Sequence, residues 1–168
     1  MKALLRVALI ATLSVPACLA QTGAVTFYSP GISVKSEGAV FLPKSRQPFS
    51  GWLVDGQQRL ARLRHGRFVT FHLNAGTHSF TTSGPTGPGK EPLVIDVKDG
   101  GQYCIRLFAK MTDLQVYARW ENQIEEVPCQ RAQREAAHLK PVEIKRVDPA
   151  VRVELDPATT VPGGQAAP

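Results

Sequence analysis

The chain has 168 residues, of which 43% are hydrophobic and 20% charged, and its formal net charge is +6. That length suits one core-bearing domain with a tail, and the apolar content is too high for a chain that stays unfolded. Three cysteines are too few for a disulfide-dense miniprotein, and no apolar run approaches the roughly 20 residues of a membrane-spanning helix.

The N-terminus has the parts of a secretory signal. Lys2 and Arg6 precede an apolar run over 7–13, and small residues follow in SVPACLAQTG, residues 14–23. We read 1–20 as a signal peptide cut before Gln21, with Cys18 and Ala20 as the small residues at the cut. The alternative is a lipobox, Val15-Pro16-Ala17-Cys18, with Cys18 lipidated, which Pro16 fits poorly. Either way the expected location is extracytoplasmic, in the periplasm or secreted, with membrane attachment only through a lipid on Cys18. Loss of Lys2 and Arg6 removes no acid and leaves the mature chain at +4.

Processing takes Cys18 out of the count, so Cys104 and Cys129 remain. An even number in an oxidising compartment predicts a disulfide. Neither lies in a C-x-x-C or other metal-ligating spacing.

Between 24 and 110, short apolar segments alternate with Gly, Pro, Asn and Asp. Leu93, Ile95 and Val97 share one face of a strand. Val69, Phe71 and Leu73 do the same, as do Tyr103, Ile105 and Leu107, and later Leu114, Val116, Ala118 and Trp120. Asp55-Gly56 reads as a hairpin turn. Asn74-Ala75-Gly76 and Asp99-Gly100-Gly101 are read as local links as well. The expected fold is mainly β, an antiparallel β-sandwich or open barrel over 21–127.

One short helix is expected over 128–140. Pro128 suits its start, Cys129, Ala132, Ala136 and Leu139 share a face, and Lys140-Pro141 ends it. Its apolar face is thin, so it must dock. Laid across the strand face that carries Cys104, it would bring the two sulfurs together. Residues 141–155 read as edge strands or an arm, and 156–168 as a disordered tail.

Few motifs carry chemistry. Gly84 to Lys90 matches G-x-x-x-x-G-K, but Pro85 and Pro88 remove two of the N–H donors a phosphate loop needs. Glu91 also stands where a hydroxyl is required. His72 and His78 would face each other if 74–76 were a three-residue hairpin loop. Two imidazoles without a third ligand make a poor metal site, and His65 lies in another turn. Arg59, Arg62, Arg64 and Arg67 form the densest charge cluster. It suits an acidic partner such as nucleic acid, an anionic polysaccharide or lipid headgroups, or else a solvated hairpin edge. No aromatics are interleaved with these arginines in sequence, so the edge reading is taken and no nucleic acid is expected.

Leu53-Val54-Asp55-Gly56, the 68–73 segment, Asn74-Ala75-Gly76-Thr77-His78-Ser79-Phe80 and Gly101-Gln102-Tyr103 form a series. It resembles PEGA-like β-sandwich domains and a related bacterial family of unknown function, found in secreted proteins and lipoproteins. There a strand ends in Asp-Gly, a later turn runs into x-His-x-apolar, and a late strand starts with Gly-x-Tyr. The resemblance covers about 51–107 and departs from the pattern at Ala75, where Pro is usual. It implies a sandwich in a cell-envelope setting and a structural His78, and no catalytic residues. Taken together, the expectation is a non-enzymatic secreted or cell-envelope domain, binding or structural, without a cofactor. Its partner would be an envelope protein or a glycan. The alternative is a small extracytoplasmic hydrolase or metal-binding protein using His72 and His78.

Overall fold

The computed structural model describes residues 21–30, 50–84, 87–88, 91–113 and 119–156. The segment 1–20 with Cys18, the strand residues proposed at 114–118 and residues 157–168 of the expected 156–168 tail lie outside the described residues, whereas Asp156, expected in that tail, donates its N–H to Thr70 O. The strands are β1 (Thr22–Ser29), β2 (Ser50–Asp55), β3 (Gln58–Arg64), β4 (Arg67–Asn74), β5 (Gly76–Gly84), β6 (Gly87–Pro88) and β7 (Leu93–Val97). They continue with β8 (Gln102–Asp113), β9 (Arg119–Val127) and β10 (Lys140–Pro141), and one helix, α1 (Cys129–Ala136), lies before β10.

The strands form two sheets of a β-sandwich. The first has the order β10-β4-β1-β8-β9; the second runs β3-β2-β5-β6, with β7 also on β5. Period-two alternation decides what each strand buries. Val25 and Phe27 of β1, Val69, Phe71 and Leu73 of β4, and Ile105 and Leu107 of β8 point inward. From the second sheet come Leu53, Leu60, Leu63, Phe80, Ile95 and Val97. Phe27 sits at the centre, edge-on to Phe71 at 6.4 Å and to Phe80 at 5.0 Å, so one ring contacts both layers. Pairing is antiparallel except between β1 and β8 and in the short β10–β4 contact.

The Asp55-Gly56 turn makes the β2–β3 hairpin, with Gly56 at φ 55°. The other two links are not hairpins. β4 pairs with β1, and β5 pairs with β2 and β7, so residues 74–76 carry the chain from one sheet to the other. Residues 98–101 likewise cross from β7 to β8. Alternation shows which face is apolar but not which strand lies alongside, and β1, inserted between β4 and β8, takes the edges that hairpins would have used. β9 also extends beyond the strand read from sequence, through Val127, where it pairs with Cys104 of β8.

Of residues 141–155, Pro141 pairs with Phe68 in the short edge strand β10, but 142–155 form neither strands nor an arm. Two 3-10 turns, Ile144–Arg146 and Pro149–Glu154, deliver Val142, Val147, Val151 and Leu155 into the sandwich core. The segment bonds to both layers: Val142 N–H to Phe68 O at 2.9 Å, Asp148 N–H to Leu60 O at 2.9 Å, and Asp156 N–H to Thr70 O at 3.1 Å. It closes the side of the sandwich between β3 and β4 with residues four or five apart, while Ile144 and Val153, alternate members of the pattern that suggested strands, are exposed. Asp148 starts the second turn by accepting the Ala150 N–H at 3.0 Å, which places Pro149 where a missing N–H costs nothing.

The helix docks as its sequence requires. It lies on the outer face of the first sheet, where Tyr28, Cys104, Val127, Ala132 and Leu139 form a second small core with Phe68, Cys129 and Ala136 around it. Pro128 stands just before the helix rather than in its first turn, and the helix ends at Ala136, so Leu139 joins the docked face from the turn that follows.

Candidate functional site: a cleft between the helix and the first sheet

The outer face of the first sheet is only partly covered. Cys104 lies under the helix and Cys129 begins it. Their Cα atoms are 5.2 Å apart and the two are joined by a disulfide, as the spacing of faces predicted. A second anchor stands beside it. The buried Tyr28 hydroxyl donates to Glu135 Oε2 at 3.0 Å, Arg131 Nε donates to Glu135 Oε1 at 2.8 Å, and Arg106 Nε approaches Oε2 at 3.2 Å. Arg106 in turn stacks on Phe108 at 5.2 Å and pairs with Glu125 at 3.3 Å. Burial works against the Glu135 charge, but the bonds from Arg131 and Tyr28 and the Arg106 charge outweigh it, so the carboxyl titrates below its ordinary range. Burial first, and then Glu135, push the Tyr28 hydroxyl well above its own range.

Beyond these anchors the helix and sheet diverge and leave a cleft of about 410 Å³. Its floor is Ala24, Thr26, Thr70 and Gln102. One wall is Ala132, Gln133 and Ala136 of the helix, and Asp156 stands at the rim. Thr26 and Thr70, on paired strands, share a hydrogen bond of 2.9 Å between their hydroxyls. None of these residues carries a motif. Thr26 and Thr70 are legible only as the polar members of alternating strands, and that β1 and β4 are neighbours is a tertiary fact.

The two histidines do not face each other. His72 lies exposed on the outer face of the first sheet, 3.6 Å from Asp156. His78 belongs to the second sheet, and its Nδ1 is 2.5 Å from Asp55 Oδ2. The 74–76 sheet crossing separates them, which undoes the opposed pair expected from a hairpin. Among the described residues no group of three His, Cys, Asp or Glu side chains is placed to hold a metal. His65 is in the exposed β3–β4 turn.

His78 instead ties the end of one strand pair. Asp55 Oδ1 accepts the Ser79 N–H at 3.0 Å, the Gly56 N–H reaches Ser79 O at 2.9 Å, and His78 Nε2 is 2.9 Å from Asn74 O. The ring stacks on Phe80 at 5.8 Å. Facing a carboxylate on one nitrogen and a carbonyl on the other, the ring must donate from both, which is the imidazolium form. Burial opposes that charge, but the bonds to Asp55 and Asn74 outweigh it and hold the His78 pKa above its ordinary value. Glu154 completes the neighbourhood, its carboxyl raised by burial and by Asp55.

The Gly-x-Tyr series also has a local reason. The Tyr103 hydroxyl accepts the Lys98 N–H at 3.0 Å and donates to Asp96 O at 3.1 Å, which closes the crossing into β8. A Cβ on Gly101 would stand 2.7 Å from the Tyr103 ring and 2.9 Å from Lys98 O.

No family model, curated protein or solved structure matches this chain. Its site therefore stands on geometry alone.

Proposed function

We propose that the protein is a non-enzymatic domain of the cell envelope or the secreted fraction that binds an envelope partner through the cleft beside α1. The observation that carries this reading is the cleft itself. It is a concavity of about 410 Å³ with an alanine-rich wall and a threonine–glutamine floor, and the disulfide and the Glu135 cluster hold its roof in place. Aliphatic walls with a few hydroxyl and amide groups suit an extended segment of another protein, whose backbone can bond to Thr26, Thr70 and Gln102. The disulfide and the absence of any helix, among the described residues, long and apolar enough to cross a membrane are compatible with the exported location that 1–20 suggests.

The test is capture from envelope extract by the immobilised protein, wild type against Thr26→Phe, which fills the cleft. We expect a defined species retained by the wild type and lost from the variant at unchanged melting temperature. Identical captures by both would refute the cleft as the binding site.

A further inference from the structure

The outer face of the second sheet is uncovered among the described residues and carries an arrangement the sequence hides. Arg59 and Arg62 differ in parity, so in a regular strand they would point to opposite faces. The β2–β3 register shifts, however: Leu53 pairs with Ala61 while Val54 pairs with Arg59, leaving Leu60 as the extra residue of a β-bulge. Leu60 and Ala61 both turn into the core, at 1% and 0% exposure. Arg59, Arg62 and Arg64 are then all exposed on one outward face. Strand geometry sets Arg62 and Arg64 about 7 Å apart.

The bulge also supplies the aromatic that the linear sequence lacks. Trp52 of β2 is the direct cross-strand partner of Arg62, and the Arg59 guanidinium lies over its ring at 5.4 Å. On the other side of β2, Ser83 pairs with Trp52 and Thr81 with Val54, so hydroxyls flank the ring. Among the described residues no carboxylate pairs with Arg59, Arg62 or Arg64, whereas Arg67, Arg106 and Arg131 all have acid partners. Three adjacent guanidinium groups without counter-charges repel one another, and an anionic ligand relieves that repulsion.

We propose that this face binds an anionic polysaccharide, with carboxylate-bearing sugars held by Arg62 and Arg64 beside the Trp52 ring that Arg59 caps. Guanidinium forks match carboxylates in two-point geometry, and Thr81 and Ser83 offer hydroxyls to sugar hydroxyls. The alternatives fit less well. Trp52 is half-buried and capped by Arg59, so it does not project as an interfacial anchor into a bilayer. A single aromatic also makes no platform for successive bases. The surface lies on the layer opposite the cleft, so the proposal is independent of the protein-binding reading above.

Titration of the full chain with oligogalacturonate at low ionic strength tests it, with anionic phosphatidylglycerol vesicles, a single-stranded oligonucleotide and neutral dextran as comparisons. We expect binding of oligogalacturonate, none of dextran, and weaker binding of vesicles and oligonucleotide. Arg62→Gln with Arg64→Gln should weaken oligogalacturonate at least tenfold, Arg62→Lys with Arg64→Lys should recover only part of that, and Arg134→Gln on the helix should change nothing. The substituted side chains are exposed, and an unchanged melting temperature verifies the fold. Thr26→Phe should leave this binding intact, which separates failure here from failure of the cleft. An arginine double variant that binds like wild type, equal affinity for all three anions, or binding of vesicles or oligonucleotide alone would each overturn the proposal.

Discussion

At the scale of single residues, the side chains with the most evident chemistry work inside the fold. The bonds of His78 to Asp55 and to the Asn74 carbonyl favour its charged form and raise its pKa. A histidine whose folded pKa exceeds its unfolded value, about 6.5, contributes stability that is complete below that pH. The contribution disappears as pH rises through the folded value. Thermal melts from pH 5 to 9 should therefore show stability declining above about 6.5, and His78→Gln should flatten that decline. Glu135 works in the other direction. Its carboxyl is lowered, so its contribution is present above its ordinary pKa and lost as pH falls through the folded value, and Glu135→Gln should soften the acid limb.

Gly101 makes a purely steric prediction. A methyl group there meets the Tyr103 ring at 2.7 Å and a backbone carbonyl at 2.9 Å, and the carbonyl cannot swing away. Gly101→Ala should lower stability by about 1–3 kcal/mol in denaturant melts, the usual range for overpacking. The Gly-x-Tyr pattern was legible in the sequence. Its cause, a tyrosine bonded back across its own turn, was not.

At the scale of elements, the helix and the segment after it are held by different forces. α1 buries little beyond Ala132, so the disulfide and the Glu135 cluster carry its attachment. Residues 142–155 are held by four apolar side chains in the main core. Reduction, or Cys104→Ser with Cys129→Ser, should cost roughly 2–4 kcal/mol. Hydrogen exchange should rise in the helix while amides such as Asp148 and Asp156 stay protected. Exchange rising equally in both would show that the segment depends on the helix after all. Conversely, Val151→Ala removes core volume and should destabilise the whole sandwich by about 1–3 kcal/mol, seen as a single shifted transition. An exposed arm would show no shift.

The helix and its disulfide partner could be read from sequence because both depend on local periodicity. Residues on one helix turn and on one strand face are fixed by backbone geometry, so Cys129 and Cys104 could each be assigned a side. The 142–155 segment misled because its alternation sets buried residues beside exposed ones: Val142, Val151 and Leu155 enter the core around two 3-10 turns, while Ile144 and Val153 face solvent. That Arg59 shares a face with Arg62 was not legible, because one extra residue at Leu60 reverses parity.

At the scale of the whole molecule, export is the prediction that bears most on function. Mass spectrometry of the native protein should find an N-terminal Gln21 or an acylated Cys18. An intact Met1 on most molecules would overturn the reading of 1–20 as a removed signal. With one outer face carrying a cleft and the other carrying arginines around a tryptophan, the sandwich presents two chemically distinct surfaces to its surroundings.

What the sequence determined by itself was what the backbone decides locally: the strands at 69–73, 93–97 and 103–107, the turn at Gly56, the docking face of the helix and the partner of each cysteine. Strand neighbours, the sheet crossings at 74–76 and 98–101, the separation of His72 from His78, and the meeting of Trp52 with Arg59 and Arg62 were decided only in the tertiary structure. The physical reason is that alternation encodes a face but not a neighbour. Any apolar-faced strand can pair with any other, and the choice falls to the arrangement in which β1 lies between β4 and β8 and the whole core closes around Phe27.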